Sequence, residues 1–149
     1  MQNDQIYSDI TNLVVTRDDL NLINSKLDLL EAGIYETKGN TFDFVLQNSI
    51  PENFSNLISK AIISEDREEV LKKIKLNLAQ IKFVEITLAI VPSQKLIEKI
   101  SNYLNQSINQ KIALDIKIDQ SIIAGAVVIF EGKYHDGSVR SKLNKINYV

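Results

Sequence analysis

The sequence predicts an α+β fold in which an N-terminal helical bundle precedes a small three-stranded mixed sheet with two helices. Up to about Lys82, apolar residues recur every three or four positions, which is typical of helices that bury one face. From Phe83 onward they alternate with polar residues, which is typical of half-buried strands. The length of 149 residues, with 44% hydrophobic and 24% charged residues, suits one ordinary globular domain or two small ones. We therefore divide the chain into a helical domain, residues 1–82, and an α+β domain, residues 83–149.

The helical domain should contain four or five short helices. Thr16 with the acidic residues after it is typical of a helix start, because hydroxyl oxygens cap helices and the helix dipole favours negative charge there. Pro51 suits the first turn of a later helix, since its missing N–H costs nothing at that position. Residues 42–46 are apolar without a clear period, so they receive no element. The buried faces expected are Tyr7, Ile10 and Val14; Leu20, Ile23, Leu27 and Leu30; Phe54, Leu57, Ile58 and Ile62; and, in the longest helix, which follows Ser64-Glu65-Asp66, Leu71, Ile74, Leu78 and Ile81.

The α+β domain should contain three strands and two helices. Pro92-Ser93 is typical of the start of a helix, and Ser138 can cap the last one. The segment 123–130 is apolar without alternation, which is typical of a central strand covered on both faces. The positions expected to face the core are Val84, Ile86, Leu88 and Ile90 in the first strand; Leu96, Ile97, Ile100, Tyr103 and Leu104 in the first helix; Ile112, Leu114, Ile116 and Ile118 in the second strand; and Val139, Leu143 and Ile146 in the last helix.

The order of the three strands has two solutions. If 123–130 lies between the other two strands, the motif is a split βαβ unit, and we favour this order. The alternative is a simple hairpin that places 112–118 in the middle of the sheet. In either case the chain shows no internal repeat and no low-complexity linker.

The composition narrows the possible kinds of function. The chain has no cysteine, which excludes disulfides and thiolate metal sites. A net charge of −2 gives no general attraction to nucleic acid or anionic lipid. The longest apolar run, 122–130, is too short to cross a bilayer as a helix, and the first residues lack the basic and apolar regions of a secretory signal. Contact with a membrane should therefore go only through a partner.

Residues that carry chemistry are scarce in this chain. His135 could act as a base, but no nucleophile accompanies it, and an exposed histidine in a turn is the better interpretation. Asp119 and Asp136 could form an acid/base pair, but aspartate at such positions usually accepts hydrogen bonds from the backbone of a turn. The glycines form no phosphate-binding loop. We therefore predict no catalytic, cofactor-binding or metal-binding residues, and we assign Asp119, Asp136, Gly137 and Ser138 to a structural motif.

Two groups of residues are candidates for binding a partner. Ala124, Gly125 and Ala126 form a patch of small side chains, which either packs against the protein's own helices or admits a partner helix. Arg140, Lys142 and Lys145 give the last helix a basic character, which suits a solvated face or an acidic partner helix. Nucleic acid is the least suitable partner, because no aromatic residues are interleaved with these charges. We expect no homo-oligomer.

Three segments of the second half carry a family resemblance. They are Phe83-Val-Glu-Ile-Thr-Leu-Ala, Asp119-Gln-Ser-Ile-Ile-Ala-Gly-Ala-Val-Val and Asp136-Gly-Ser-Val-Arg. Together they resemble the C-terminal signature of the F-type ATP synthase delta subunit family, the counterparts of the mitochondrial oligomycin-sensitivity-conferring protein. The resemblance covers roughly residues 83–146. Gln120 replaces the usual proline, and Ala124 replaces the first of two usual glycines.

The resemblance implies a non-catalytic peripheral-stalk (stator) subunit that links the catalytic head to the b-subunit stalk. The implied partners are alpha subunits at the helical half and the b-subunit coiled coil at the C-terminal half, with no cofactor. The implied location is the cytoplasmic face of the plasma membrane, as a peripheral part of the complex. Residues 1–82 are short for the six-helix N-terminal domain of that family. The alternatives are a V/A-type stalk subunit, an unrelated helix-binding scaffold, or a small enzyme, which the scarcity of histidine and cysteine argues against.

Overall fold

The computed structural model describes residues 2–146, and within this range the fold is α+β, as predicted. Met1 and residues 147–149, which the two predicted domains include, lie outside the described residues. The helices are α1 (Gln2–Asn12), α2 (Arg17–Ile34), α3 (Phe42–Asn48), α4 (Glu52–Ala61), α5 (Arg67–Ala79), α6 (Gln94–Ile108) and α7 (Val139–Ile146). The strands are β1 (Lys82–Leu88), β2 (Ile112–Ile118), β3 (Ala126–Phe130) and β4 (Lys133–Asp136), with a short 3-10 turn at Gln120–Ile122.

The chain forms two compact units. The helical unit contains the residues up to Val14 together with Asp18–Ile81. The sheet unit contains Val15–Arg17 together with the chain from Lys82 onward. The assignment of separate roles to residues 1–82 and 83–149 stays a prediction.

The helical unit is built from the apolar stripes that the sequence predicts. Ile23, Leu27 and Leu30 of α2 are buried, since spacings of four and three place them on one face. Residues 42–46, which received no element, begin α3, where Thr41 Oγ1 accepts a hydrogen bond from the Phe44 N–H at 3.4 Å. A helix of seven residues has fewer than two turns, so its period is too short to recognise. The longest helix is α2, with 18 residues, and not α5, with 13.

The sheet has the order β2-β1-β3-β4, which neither expected arrangement contains. β1 and β2 are parallel neighbours joined through α6, in register from Lys82 opposite Ile112 to Leu88 opposite Ile118. β3 pairs antiparallel with the other edge of β1. The expected order is wrong because alternation reports which faces of a strand are covered, not how many of its edges are paired. β1 alternates since one face carries Glu85 and Thr87, yet it lies between β2 and β3.

A fourth strand extends the sheet beyond the three predicted. β3 and β4 form a hairpin in which Phe130 faces Lys133. The two loop residues, Glu131 and Gly132, have φ values of 48° and 76°. Positive φ at both loop positions is the geometry of the tight turns that match strand twist. β4 has four residues with mostly exposed polar side chains, so it lacks the apolar alternation from which a strand is predicted.

Both helices of the sheet unit bury less than the sequence predicts. Ile97, Ile100 and Leu104 of α6 pack on a core of buried strand residues, namely Val84, Ile112 and Leu114. Leu96 and Tyr103 are exposed, because each precedes a core-facing residue by one position and so points about 100° away from it. In α7, Leu143 and Ile146 are exposed as well. The expected burial of these four side chains is wrong.

No helix within residues 2–146 combines the length and the apolar character needed to cross a membrane.

A polar cluster in the helical unit centres on Glu65, which lies between α4 and α5. Its carboxylate accepts hydrogen bonds from Asn3 Nδ2, from Tyr7 Oη at 3.0 Å and from Lys73 Nζ at 2.6 Å. The bond from Asn3, followed by the bond from Lys73, lowers the pKa of Glu65 to about 2. Burial and the same hydrogen bond raise the pKa of Tyr7. The cluster therefore stabilises the ionised form of Glu65 in the folded protein.

We expect this cluster to make the free energy of unfolding decrease at acidic pH. The pKa of Glu65 falls from 4.5 to about 2 on folding, so its contribution is complete above pH 4.5 and is lost as the pH falls toward 2. Glu65→Gln should lower the free energy of unfolding at pH 7 and flatten its decline between these pH values, measured by urea unfolding. Glu69→Gln is the control, because that carboxylate is exposed and lies 3.6 Å from the same Lys73. Equal pH profiles for both variants would contradict this account.

Candidate partner-binding surface

The acidic turn after β2 is held by Asp119. Its carboxylate accepts a hydrogen bond from the Ser121 N–H at 2.9 Å, and its own N–H donates to the Leu88 carbonyl at 2.9 Å. Hydrogen bonds from the hydroxyl and the N–H of Ser121 lower the pKa of Asp119. Asp119 thus caps the 3-10 turn, which is the structural role predicted for it.

A strained turn follows at Ile123. The Ala124 N–H donates to the Ile122 carbonyl at 2.9 Å, and Ile123 between them has φ 72° and ψ −58°. This is the rare γ-turn with positive φ, and β-branched residues avoid such a conformation. The Ile123 side chain is exposed. The predicted strand 123–130 includes Ile123, whereas in the structure this residue precedes β3 and lies at the surface.

Gly125 lies before β3 and not inside it, which corrects the predicted strand 123–130. Its φ is 80°, and a Cβ atom there would lie closer than 3.0 Å to the carbonyl oxygen of Gly137. The glycine is therefore required by a close approach of the protein's own backbone. Hydrogen bonds hold this approach: the Gly137 N–H donates to the Ala126 carbonyl at 2.9 Å, and the Val139 N–H donates to the Ala124 carbonyl at 3.0 Å.

The Asp-Gly-Ser segment forms the start of α7. The Asp136 carboxylate accepts a hydrogen bond from the Ser138 N–H at 2.9 Å. The buried Ser138 Oγ accepts one from the Ser141 N–H at 3.1 Å, which confirms the predicted cap. Hydrogen bonds from the hydroxyl and the N–H of Ser138 lower the pKa of Asp136. Asp136 thus holds the turn before α7, whereas Ser138 caps the helix.

Arg140 joins the two motifs. Its Nη1 donates a hydrogen bond to Ser121 Oγ at 2.6 Å, across 19 positions of sequence. Its charge also helps to lower the pKa values of Asp119 and Asp136. Arg140 is therefore occupied by contacts within the protein, whereas Lys142 and Lys145 are exposed on α7.

Apolar side chains accompany these lysines. Val139, Leu143 and Ile146 recur at spacings of four and three, so they lie along one face of α7. Leu143 and Ile146 are exposed, and no residue of α7 is fully buried. Ser138, the cap that precedes the helix, is buried. The sequence showed this stripe, but its period alone does not tell whether the protein itself covers it.

The residues considered for catalysis or metal binding form no common site in the described part of the chain. His135 lies on β4 with its side chain exposed. Among residues 2–146, no group of three or more histidine, aspartate or glutamate side chains is arranged to hold a metal ion.

Comparison with known proteins identifies the family. A family model described as "ATP synthase delta (OSCP) subunit" matches residues 34–149. The chain belongs to this family. The ATP synthase subunit delta of Thermosipho melanesiensis is 32% identical over 113 residues, which covers 76% of this chain and 62% of that protein. The ATP synthase subunit delta of Salmonella paratyphi B is 28% identical over 118 residues, which covers 74% and 66%.

The matches to these delta subunits confirm the resemblance carried by the three segments, all of which lie within residues 34–149. In both of these relatives the match spans slightly less than two thirds of the relative's own length.

Proposed function

We propose that this delta-family chain is a non-catalytic peripheral-stalk (stator) subunit of an F-type proton-translocating ATP synthase, linking the catalytic head to the b-subunit stalk. Family membership supports this role. The observation that carries it is the apolar stripe on α7 that the protein leaves exposed beside two lysines. As part of that complex, the chain would lie at the cytoplasmic face of the plasma membrane and reach the membrane only through other subunits.

The proposed site for the b subunit is the α7 surface, which we define as Ile123, Ala124, Lys142, Leu143, Lys145 and Ile146. Covering the exposed apolar side chains would supply the main favourable contribution to binding, because apolar surface is removed from water. Lys142 and Lys145 would mainly speed encounter with an acidic helix and fix its register. Contacts within the sheet unit support this surface. The Gly125 backbone lies close to the Gly137 carbonyl, and the Ala126 carbonyl accepts a hydrogen bond from the Gly137 N–H. Arg140 donates a hydrogen bond to Ser121.

The proposed partner of the helical unit is the alpha subunit. This unit contains five helices within the described residues, one fewer than the resemblance implies for the family. Leu22 and Leu29 of α2 are exposed and seven positions apart, so they share one face. A paired apolar face of this kind suits a second helix from the catalytic head.

We expect the double variant Leu143→Ser/Ile146→Ser to bind a soluble b-subunit dimer at least about tenfold more weakly, as removal of a buried apolar contact at an interface does. Titration calorimetry measures the affinity, and circular dichroism checks the fold. Both side chains are exposed, by 46% and 67%, so the fold should persist.

The matched control is Leu96→Ser/Tyr103→Ser on α6. These side chains are exposed to nearly the same extent, 43% and 69%, but they lie on another helix of the sheet unit. Their affinity for the b dimer should equal that of the wild type. Equal weakening by both double variants, or weakening by neither, would overturn the proposed site.

A further inference from the structure

The segment between α1 and α2 lies along the outer edge of β2. Thr16 forms a parallel bridge with Leu114. The Leu114 N–H donates a hydrogen bond to the Val15 carbonyl at 2.9 Å. Val15–Arg17 therefore continues the sheet past β2, although about a hundred positions of sequence separate the two segments.

Two neighbouring amides on this edge have different kinds of partner. The Leu114 N–H is held by the Val15 backbone, whereas the Ile112 N–H donates to the side-chain oxygen of Asn105 at 2.9 Å. Alternate residues of a strand point their N–H groups to the same edge, so both amides face away from β1. An unpaired strand edge can accept a strand from another chain, and proteins commonly cover such edges. Val15–Arg17 covers this one at Leu114.

The Arg17 side chain attaches the segment to the sheet through contacts with β1 and β2. Its Nε lies 2.9 Å from the Asp115 carboxylate, and its guanidinium carbon lies 3.9 Å from the centre of the Phe83 ring. Phe83 and Asp115 belong to the neighbouring strands β1 and β2, so the Arg17 side chain contacts both strands. Planar guanidinium groups suit this combination of an ion pair with an aromatic face.

The charges beside Arg17 include two carboxylates that face each other across the strands. Asp115 is opposite Glu85 in the strand register, and Lys117 Nζ lies 2.7 Å from the Glu85 carboxylate. Asp115 therefore has a cation on the side of Arg17 and, through Lys117, further positive charge along its own strand. Removal of the Arg17 charge would leave the Asp115 carboxylate without its close ion-pair partner.

We propose that Val15–Arg17 is an edge latch, a short strap that closes the edge of β2 at Leu114, is locked by Arg17, and opens without unfolding the sheet. Its closed form prevents another chain from adding a strand at this edge. The latch is short and meets the edge at a single isolated bridge, Thr16 opposite Leu114, and short contacts of this kind are among those that open locally. It does not depend on the proposed role in the stalk.

Amide hydrogen exchange of the full chain, followed by NMR, tests the latch. In Arg17→Gln, exchange at Leu114 should accelerate at least about tenfold, while exchange at Ile112 and at Ile86 in central β1 changes much less. In the control Asn105→Ala, the Ile112 amide should accelerate and the Leu114 amide should not. Arg17→Lys keeps the charge without the planar group, and its effect at Leu114 should be intermediate.

Equal acceleration of Leu114, Ile112 and Ile86 in Arg17→Gln would show that the segment opens only with the whole sheet, which overturns the latch. No acceleration at Leu114 would overturn it as well. Sedimentation velocity at rising concentration then tests the protective role: Arg17→Gln should self-associate where the wild type stays monomeric. A variant that opens at Leu114 but remains monomeric would refute that protective role.

Discussion

Replacement of Gly125 by alanine should destabilise the sheet unit by about 2–4 kcal/mol, which is in the range of severe single substitutions. The φ of 80° costs an alanine about 1–2 kcal/mol. In addition, the new Cβ would lie closer than 3.0 Å to the Gly137 carbonyl oxygen, so the backbone at the start of α7 must shift. Urea unfolding followed by circular dichroism measures the loss. Gly125→Leu should be at least as damaging.

Gly132→Ala separates the cost of the positive φ from the cost of the close contact with Gly137. Gly132 has almost the same φ, 76°, but nothing lies within 4 Å of a Cβ built on it. This variant should therefore lose only the conformational part, about 1–2 kcal/mol. If both alanine variants lose the same stability, the close approach to Gly137 contributes nothing. Weaker partner binding by a Gly125 variant would follow from damage to the fold, so it is no evidence for direct contact.

Leu30→Ala should destabilise the helical unit by about 2–5 kcal/mol, because truncation of a buried leucine removes apolar contacts and leaves a cavity. Leu30 is 0% exposed in the core of that unit. Leu29 precedes it on the same helix and is 49% exposed, so Leu29→Ala should change the free energy of unfolding by less than about 1 kcal/mol. Thermal and urea unfolding of the two variants provide the comparison. Similar losses would mean that α2 does not present the face assigned to it.

Local spacing of residues predicted most of the elements and their caps. Ile23, Leu27 and Leu30 lie on one stripe of α2, and this stripe is buried in the structure. Ser138 was predicted to cap the last helix, and its hydroxyl does so. These predictions succeed because the period of an element and the chemistry of its ends depend on residues within a few positions of one another.

Only part of the candidate surface could be predicted. Lys142 and Lys145 are exposed on α7, as a basic helix face requires. Ile123 was missed, because nothing local distinguishes a strained γ-turn from the start of an apolar strand. Arg140 was grouped with the lysines, but it binds Ser121, which is 19 positions away in the sequence.

The sequence by itself determined the fold class, the positions of most helices and most strands, and the motifs that the delta family shares. Tertiary structure decided the strand order, the cover over the edge of β2 and the reason for each critical glycine. Gly33 is an example within α2: a Cβ there would lie 2.8 Å from the Phe42 backbone nitrogen, and no local pattern reveals this. The physical reason is common to these features. Residue spacing shows which side chains share a face, whereas long-range packing selects the faces to be covered and the backbones that touch.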